Sequence, residues 1–244
     1  MAQETLFGTH SVVEALRAGR RRIDSVHVEK VGRKKLPPIV DRLARERQVR
    51  VFQEESSFFV GQKAGGGRGV AARVGPYPEG EIEDVLEAVA AGPEPGLVLV
   101  LDGVVDPQNF GAILRTALCA GAHAVVMPRD KAAPSSPAAS RASAGAMEHV
   151  LVARVNNIVR SLEQLKEAGL WVYGTAVEGD TAMWDADLAG PVVLCIGSEE
   201  KGLRRLVREN CDVLVNIPQA GPLGSLNASV AAALVVYEAV RQRR

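Results

Sequence analysis

The sequence predicts an α/β protein in which a parallel-sheet body follows a smaller α/β domain. Three observations predict it. The stretch LVLVL at 97–101 is a continuous apolar run, as a strand buried on both faces of a parallel sheet requires. Further runs at 124–127, 151–155, 170–176, 192–196 and 213–217 alternate with helical patterns at 107–120, 158–168 and 203–209. That alternation fits strand–helix crossovers in one sheet. Finally, GPYPEGEIEDVLEAVAAGPEPG, rich in Pro, Gly and Glu, separates this body from about 75 residues of different pattern.

Taken in order, SVVEALR at 11–17 reads as a helix and 25–29 as a strand. A helix follows over 36–46, with Pro37 and Pro38 in its first turn, where proline is tolerated. Strands are expected at 49–53 and 70–74, separated by the cluster Gly65, Gly66, Gly67 and Gly69. The division is therefore a first domain over 1–75, an acidic linker over 76–96 containing a short helix at 82–90, and a body over 97–244. A long apolar helix at 225–241 closes the chain.

The formal net charge of zero conceals an asymmetry. Residues 1–74 carry 15 Lys/Arg against 8 Asp/Glu, residues 75–96 carry 6 acids and no base, and the rest is nearly balanced. A basic segment beside a neutral body is a partner signal. Arginine outnumbers lysine 22 to 7; its planar fork suits phosphate, although codon bias produces the same ratio. No apolar run approaches the roughly 18–20 residues of a membrane span, and MAQETLFGTH has no apolar signal core. Cys119, Cys195 and Cys211 are odd in number and widely spaced, which reads as buried thiols in a reducing, cytoplasmic compartment. The four scattered histidines offer no metal site.

Ligands of parallel sheets sit beyond the carboxyl ends of the strands, and three loops there are unusual. In DGVVDPQNFGAILRTA, Asp106 suits an N-cap and Pro107 the first helical position, so Asn109 enters the first turn. Helical geometry puts Arg115 within about 40° of Gly111 and 20° of Gln108, away from the apolar face. An arginine above a strip bared by glycine is placed to meet a bulky anion; a solvated arginine is the plainer alternative. In CIGSEEKGLRR, strand, glycine, acid, glycine and helix follow one another. In IPQAGPLGSLNASVAAAL, Ser225 is a candidate cap for the last helix, whose first amides are open donors for an anionic ligand. No GxGxxG follows a strand, and neither GxxxxGK[ST] nor GxSxG occurs, so dinucleotide, P-loop and hydrolase readings lose their support.

Together these loops resemble the three motifs of the SpoU (TrmH-like) branch of the SPOUT RNA methyltransferases. The resemblance is carried by Asn109 and Arg115, by Gly197, Glu199 and Gly202, and by Ile217, Pro218, Ser225, Leu226 and Asn227. SASAGAMEHVLVARVNNI, FGTHSVVEAL and GRGVAARV further resemble the subgroup that methylates guanosine 2′-hydroxyls of large-subunit (23S) rRNA, so nearly the whole chain is covered. Gln219 and Ala228 stand where that subgroup has Met and Val. The resemblance implies a SPOUT domain with a C-terminal trefoil knot, an L30e-like RNA-binding first domain, and a homodimer with sites shared between chains. It implies S-adenosylmethionine as cofactor, held by Thr175, Gly197, Ile217, Pro218, Ser225 and Leu226. It further implies catalytic roles for Arg115, Asn109, Glu199, Ser225 and Asn227.

Because a guanidinium titrates at about 12.5–13.8, Arg115 suits clamping a phosphate or stabilising a developing alkoxide better than taking a proton. The clusters Arg20, Arg21, Arg22 and Arg33, Lys34, Lys35 are the expected RNA contacts. The expected activity is methyl transfer to an rRNA ribose. The alternatives are a tRNA 2′-O-methyltransferase and a non-catalytic RNA-binding factor of ribosome assembly.

Overall fold

A computed structural model describes residues 3–30, 37–60, 69–222 and 224–244. The chain divides into two compact units, Met1–Pro78 with Ser135–His149, and Glu79–Pro134 with Val150–Arg244.

The first unit begins with β1 (Glu4–Phe7), α1 (Thr9–Ala18), β2 (Ile23–Glu29), α2 (Pro38–Glu46), β3 (Arg50–Glu54), α3 (Ser56–Val60) and β4 (Val70–Val74). Its sheet has the order β1-β4-β2-β3, with β4 antiparallel to both neighbours and β2–β3 parallel. α1 ends where Gly19 enters the left-handed region at φ 60° and donates its N–H to the Ala15 carbonyl. The apolar faces of α1 and α2 (Val12, Leu16, Val40, Leu43) close over Leu6, Val26 and Ala72.

The second unit starts with α4 (Ile82–Ala91), whose N-terminus is a capping box of Glu81 and Asp84. β5 (Leu97–Asp102), α5 (Pro107–Cys119) and β6 (Ala124–Pro128) follow. The chain then returns to the first unit through α6 (Pro137–Ala142) and a 3₁₀ turn at Ala146–Glu148. It re-enters the second unit as β7 (Val152–Val155), α7 (Ile158–Glu167), β8 (Trp171–Thr175), β9 (Thr181–Ala182), β10 (Val192–Gly197), α8 (Arg205–Glu209), β11 (Val213–Asn216) and α9 (Ala228–Gln242). The sheet order is β7-β6-β5-β10-β8-β11-β9, and every pairing is parallel. β5 and β10, apolar throughout the sequence runs, are buried end to end at the centre. Their far neighbours lie on opposite sides, so the space beyond Asp102 and Gly197 is the switch point where such sheets bind ligands.

The division differs from the one read in composition. The acidic stretch is no spacer, because α4 packs Ile82 and Val85 into the core of the second unit. Residues 135–149 belong to the first unit, where they supply the buried partner of Arg21. Arg21 is buried, and its Nε lies 3.0 Å from Glu148 Oε2 while a terminal nitrogen lies 3.1 Å from Glu4. The Glu148 pair is ionic at that distance, yet Arg21 Nε and Nη2 complete no aligned hydrogen bond. Ser140 donates to Glu148 Oε1 at 2.8 Å, and Gly145 (φ 87°) brings the backbone so close to α1 that a Cβ would meet the His10 carbonyl at 2.9 Å. A cut near residue 97 would therefore remove α4 from one unit and leave 135–149 without the other.

Burial raises the Glu148 carboxyl above its ordinary range despite the Arg21 charge, so the folded chain takes this proton more readily than the unfolded one. The stability from this group is present below the ordinary carboxylate value of about 4.3 and is lost as pH rises through the raised one. Glu148→Gln should flatten that dependence in amide exchange at α6 and β1. Arg21→Ala, which strands a buried carboxylate, should cost about 3 kcal/mol in the same measurement.

Candidate active site

Three loops meet at the carboxyl ends of β5, β10 and β11. Asp106 caps α5, accepting from the amides of Gln108 and Asn109 at 3.2 Å each, and Pro107 presets the first turn. Asn109 is thereby held at the start of the helix. After β10 the chain folds back sharply, Ser198 and Gly202 exchanging two backbone bonds of 3.1 and 2.9 Å. Gly197 sits under this turn, where an added Cβ would lie 2.2 Å from Gly202 carbon and 2.4 Å from Leu203 nitrogen. Only glycine fits there.

The turn presents Glu199, and one of its oxygens gathers the three motifs. Glu199 Oε1 accepts from Asn109 Nδ2 at 2.8 Å, from Asn227 Nδ2 at 2.5 Å and from the Ala228 amide at 3.1 Å. Asn227 Nδ2 also donates to Asn109 Oδ1 at 2.9 Å, closing a triangle. The second Glu199 oxygen makes no hydrogen bond with the described residues. Asn227, not Ser225, caps α9: its Oδ1 accepts from the amides of Ser229 (3.0 Å) and Val230 (3.3 Å). With Ala228 N on Glu199, the amides expected to await an anionic ligand are already occupied. Ser225 lies two residues before the cap and lines a cavity instead.

That cavity, about 430 Å³, lies within the range of small-molecule sites. Thr175, Gly197, Ile217, Ser225, Leu226 and Glu199 all line it, whereas Pro218 does not. Thr175 is fixed by donating to the Cys195 carbonyl at 3.1 Å, which ties the end of β8 to β10. A second cavity of about 450 Å³ lies on the other side of the Glu199 turn, and Asn109 lines it with Glu199 and Ala228. The glutamate thus borders both spaces.

Arg115 is not brought into this network. It is exposed on α5 and makes neither an ion pair nor a hydrogen bond with the described residues. The expected strip bared by Gly111 is covered too, since Gly111 is buried beside Phe110 and Leu114. Of the expected RNA contacts, Arg21 is spent inside the first unit on Glu4 and Glu148 and is not a surface cation. Arg22 is exposed and pairs with Asp24 at 2.8 Å; Arg20 donates to the Tyr77 hydroxyl at 3.2 Å. Arg33, Lys34 and Lys35 lie outside the described residues. Cys195 is buried, but Cys119 is exposed, contrary to the expectation of buried thiols.

Sequence reasoning missed Asp102. This buried carboxylate at the end of β5 accepts from the Arg204 amide (2.7 Å) and from Arg204 Nε (2.5 Å), anchoring the chain after the Glu199 turn. Its signal was present: the apolar run LVLVL ends in an acid that the fold buries.

The model of the SpoU rRNA Methylase family matches residues 96–237. The 23S rRNA (guanosine-2′-O-)-methyltransferase RlmB of Pseudomonas putida is 41% identical over 244 residues, covering 99% of this chain and 97% of the relative. The enzyme of the same name from Escherichia coli K12 is 39% identical, covering 98% and 99%. Among solved structures, the SpoU methyltransferase AviRb from Streptomyces viridochromogenes in complex with AdoMet superimposes with a TM-score of 0.82 at 27% identity, covering 99% of this chain and 90% of that one. An AdoMet-bound rRNA methyltransferase from Sinorhizobium meliloti gives 0.80 at 25% identity, covering 98% and 87%. With its three motifs gathered on one carboxylate and the family model spanning more than half its length, the chain belongs to the SpoU rRNA methylase family.

Proposed function

We propose that the protein transfers a methyl group from S-adenosylmethionine to the 2′-hydroxyl of a guanosine ribose in 23S rRNA. One observation carries the reading: Glu199 joins Asn109 and Asn227 between two cavities, which we read as the spaces for the methyl donor and the acceptor ribose. The near full-length similarity to RlmB enzymes supports the guanosine and the rRNA.

The residues present fit the cofactor. Gly197 lets the backbone pack where no side chain could, and Thr175, Ile217, Ser225 and Leu226 border a cavity of suitable size. When bound there, S-adenosylmethionine supplies a methyl on a sulfonium that leaves as a neutral thioether. The chain must align the hydroxyl in line with that methyl and stabilise the oxygen as its proton departs. Asn109 and Asn227, locked by Glu199, are positioning residues for the acceptor ribose. Arg115 is the cation for the developing alkoxide or the adjoining phosphate.

Because Arg115 has no partner among the described residues of its own chain, we read the working form as a homodimer with a site built from both copies. An apolar surface supports this: Val230, Leu234 and Tyr237 recur along α9 and are all exposed, as is Leu118 on α5. The trefoil knot is proposed with the same family, supported by the packing of α9 on β10 and α5 after the turn at Glu199. The first unit is proposed as L30e-like and RNA-binding, and the cytoplasm as the place of action.

Glu199→Ala should lower kcat/KM for RNA about 100-fold, while Glu199→Gln, which keeps a neutral acceptor for Asn109 and Asn227, should recover most of the loss. If Gln is as inactive as Ala, the carboxylate charge acts directly and the positioning role is wrong. The reaction itself is tested by transfer of labelled methyl to a 23S rRNA fragment, to tRNA and to the same fragment bearing a 2′-deoxy target. Label should enter only the first; label in tRNA alone favours the tRNA enzyme, and none in any RNA favours an assembly factor.

A further inference from the structure

The cavity bordered by Asn109 does not end at the site. Lys131 and Arg204 line it and also line a third cavity of about 640 Å³, which extends past the ends of β6 and β7. Arg129 and Arg205 border this third space, and Asp130 is its only carboxylate among the described residues. Val159 and Leu206 also line it, the latter 54% exposed. The result is one groove leading away from Glu199, with the carboxylates Asp102, Asp106, Glu199 and Glu200 at its inner end and the cations Arg129, Lys131, Arg204 and Arg205 along its outer part.

The groove is built rather than incidental. Arg154, itself buried, donates to the carbonyls of Pro128 (3.3 Å) and Ala133 (2.7 Å), the two ends of the loop that carries Arg129 and Lys131. The Ala133 amide further donates to the Val104 carbonyl at 2.9 Å. Held this way, Lys131 sits at φ 54°, a left-handed conformation that an L-residue keeps only where its surroundings impose it. It is exposed and makes no ion pair with the described residues. Asp102 fixes Arg204 through Nε, and no described residue takes its terminal nitrogens. Arg129 and Arg205 are steadied by Glu81 and Glu209.

We infer that this groove is the track of the single RNA strand flanking the target nucleotide, its phosphates met by Lys131, Arg204 and Arg205. The inference rests on the reaction proposed above for its direction, since the groove opens from the acceptor side of Glu199. Fixed cations follow a phosphodiester backbone, and Val159 and Leu206 give a displaced base an apolar surface.

The test uses the full chain with Lys131→Gly and Arg205→Ala together. Glycine accepts the left-handed backbone, so the charge is removed without disturbing the loop. Affinity for a 23S rRNA fragment is measured against salt. The slope of log K on log salt should fall by about 0.7 for each cation lost. KM for RNA should rise about tenfold with kcat within about twofold. The charge-keeping pair Lys131→Arg and Arg205→Lys should retain the original slope. An unchanged slope in the neutral variant, or an equal loss in both pairs, overturns the proposal. Binding is read without turnover, so a wild-type chain that binds with this slope yet transfers no methyl overturns the reaction and leaves the groove standing. One that methylates RNA while the neutral variant is unaffected does the reverse.

Discussion

Gly197→Ala should weaken S-adenosylmethionine binding roughly 150-fold while leaving most of the fold in place. A Cβ at this position would lie 2.2 Å from Gly202 carbon and 2.6 Å from its carbonyl oxygen, inside backbone that cannot rotate away as a side chain can. The turn must therefore open. Ser198 and Gly202 would lose their paired bonds, and with them the wall that divides the two cavities. Overpacking of this kind costs about 3 kcal/mol, which spent on cofactor affinity is roughly 150-fold. Calorimetric titration of cofactor reads the effect, and circular dichroism checks the fold. Retained affinity would place the cofactor elsewhere than beneath this turn.

Arg115→Ala should lower kcat by about 10²–10³ with cofactor affinity unchanged, the loss expected when a fixed charge that meets a developing oxyanion is removed. The side chain is exposed and outside the Glu199 network, so neither the fold nor the triangle depends on it. Arg115→Lys keeps the charge but loses the planar fork, and should recover only part of the rate. Single-turnover transfer with saturating RNA separates chemistry from binding. Near-normal turnover by the alanine variant would remove Arg115 from the mechanism.

The sheet of the second unit was legible because buried parallel strands are apolar without interruption: every expected run there became a strand within a residue or two. β1 and β9 were not, being too short to show a period; β1 is four residues with one buried side chain, Leu6. α6 had its signal in Ser136 and Pro137, a cap and a first-turn proline, unread because the region carried no apolar stripe. Its membership in the first unit follows from Arg21 and Glu148, a pair separated by the entire interval between them, and no local pattern encodes such a pair. The same holds at the site. The three loops announced themselves by their glycines and acids, and the cap at Asp106 followed from local chemistry. The choice of Asn227 over Ser225 as cap of α9, and the convergence on one Glu199 oxygen, depend on how far the last loop runs before the helix begins. Arg21 looked like its neighbours Arg20 and Arg22; only burial distinguishes it.

Charge read by segment now has a different meaning. The acidic stretch belongs to the second unit through α4, and part of the basic cluster is internal. The cations best placed for RNA near the chemistry lie at Lys131, Arg204 and Arg205, in the part of the sequence whose charge nearly cancels.

Methyl transfer to 23S rRNA is read directly by mapping 2′-O-methyl groups along that RNA from cells with and without this protein, and again after adding back the Glu199→Ala form. One guanosine should be methylated only when the active protein is present. An identical methylation map in all three samples would contradict it.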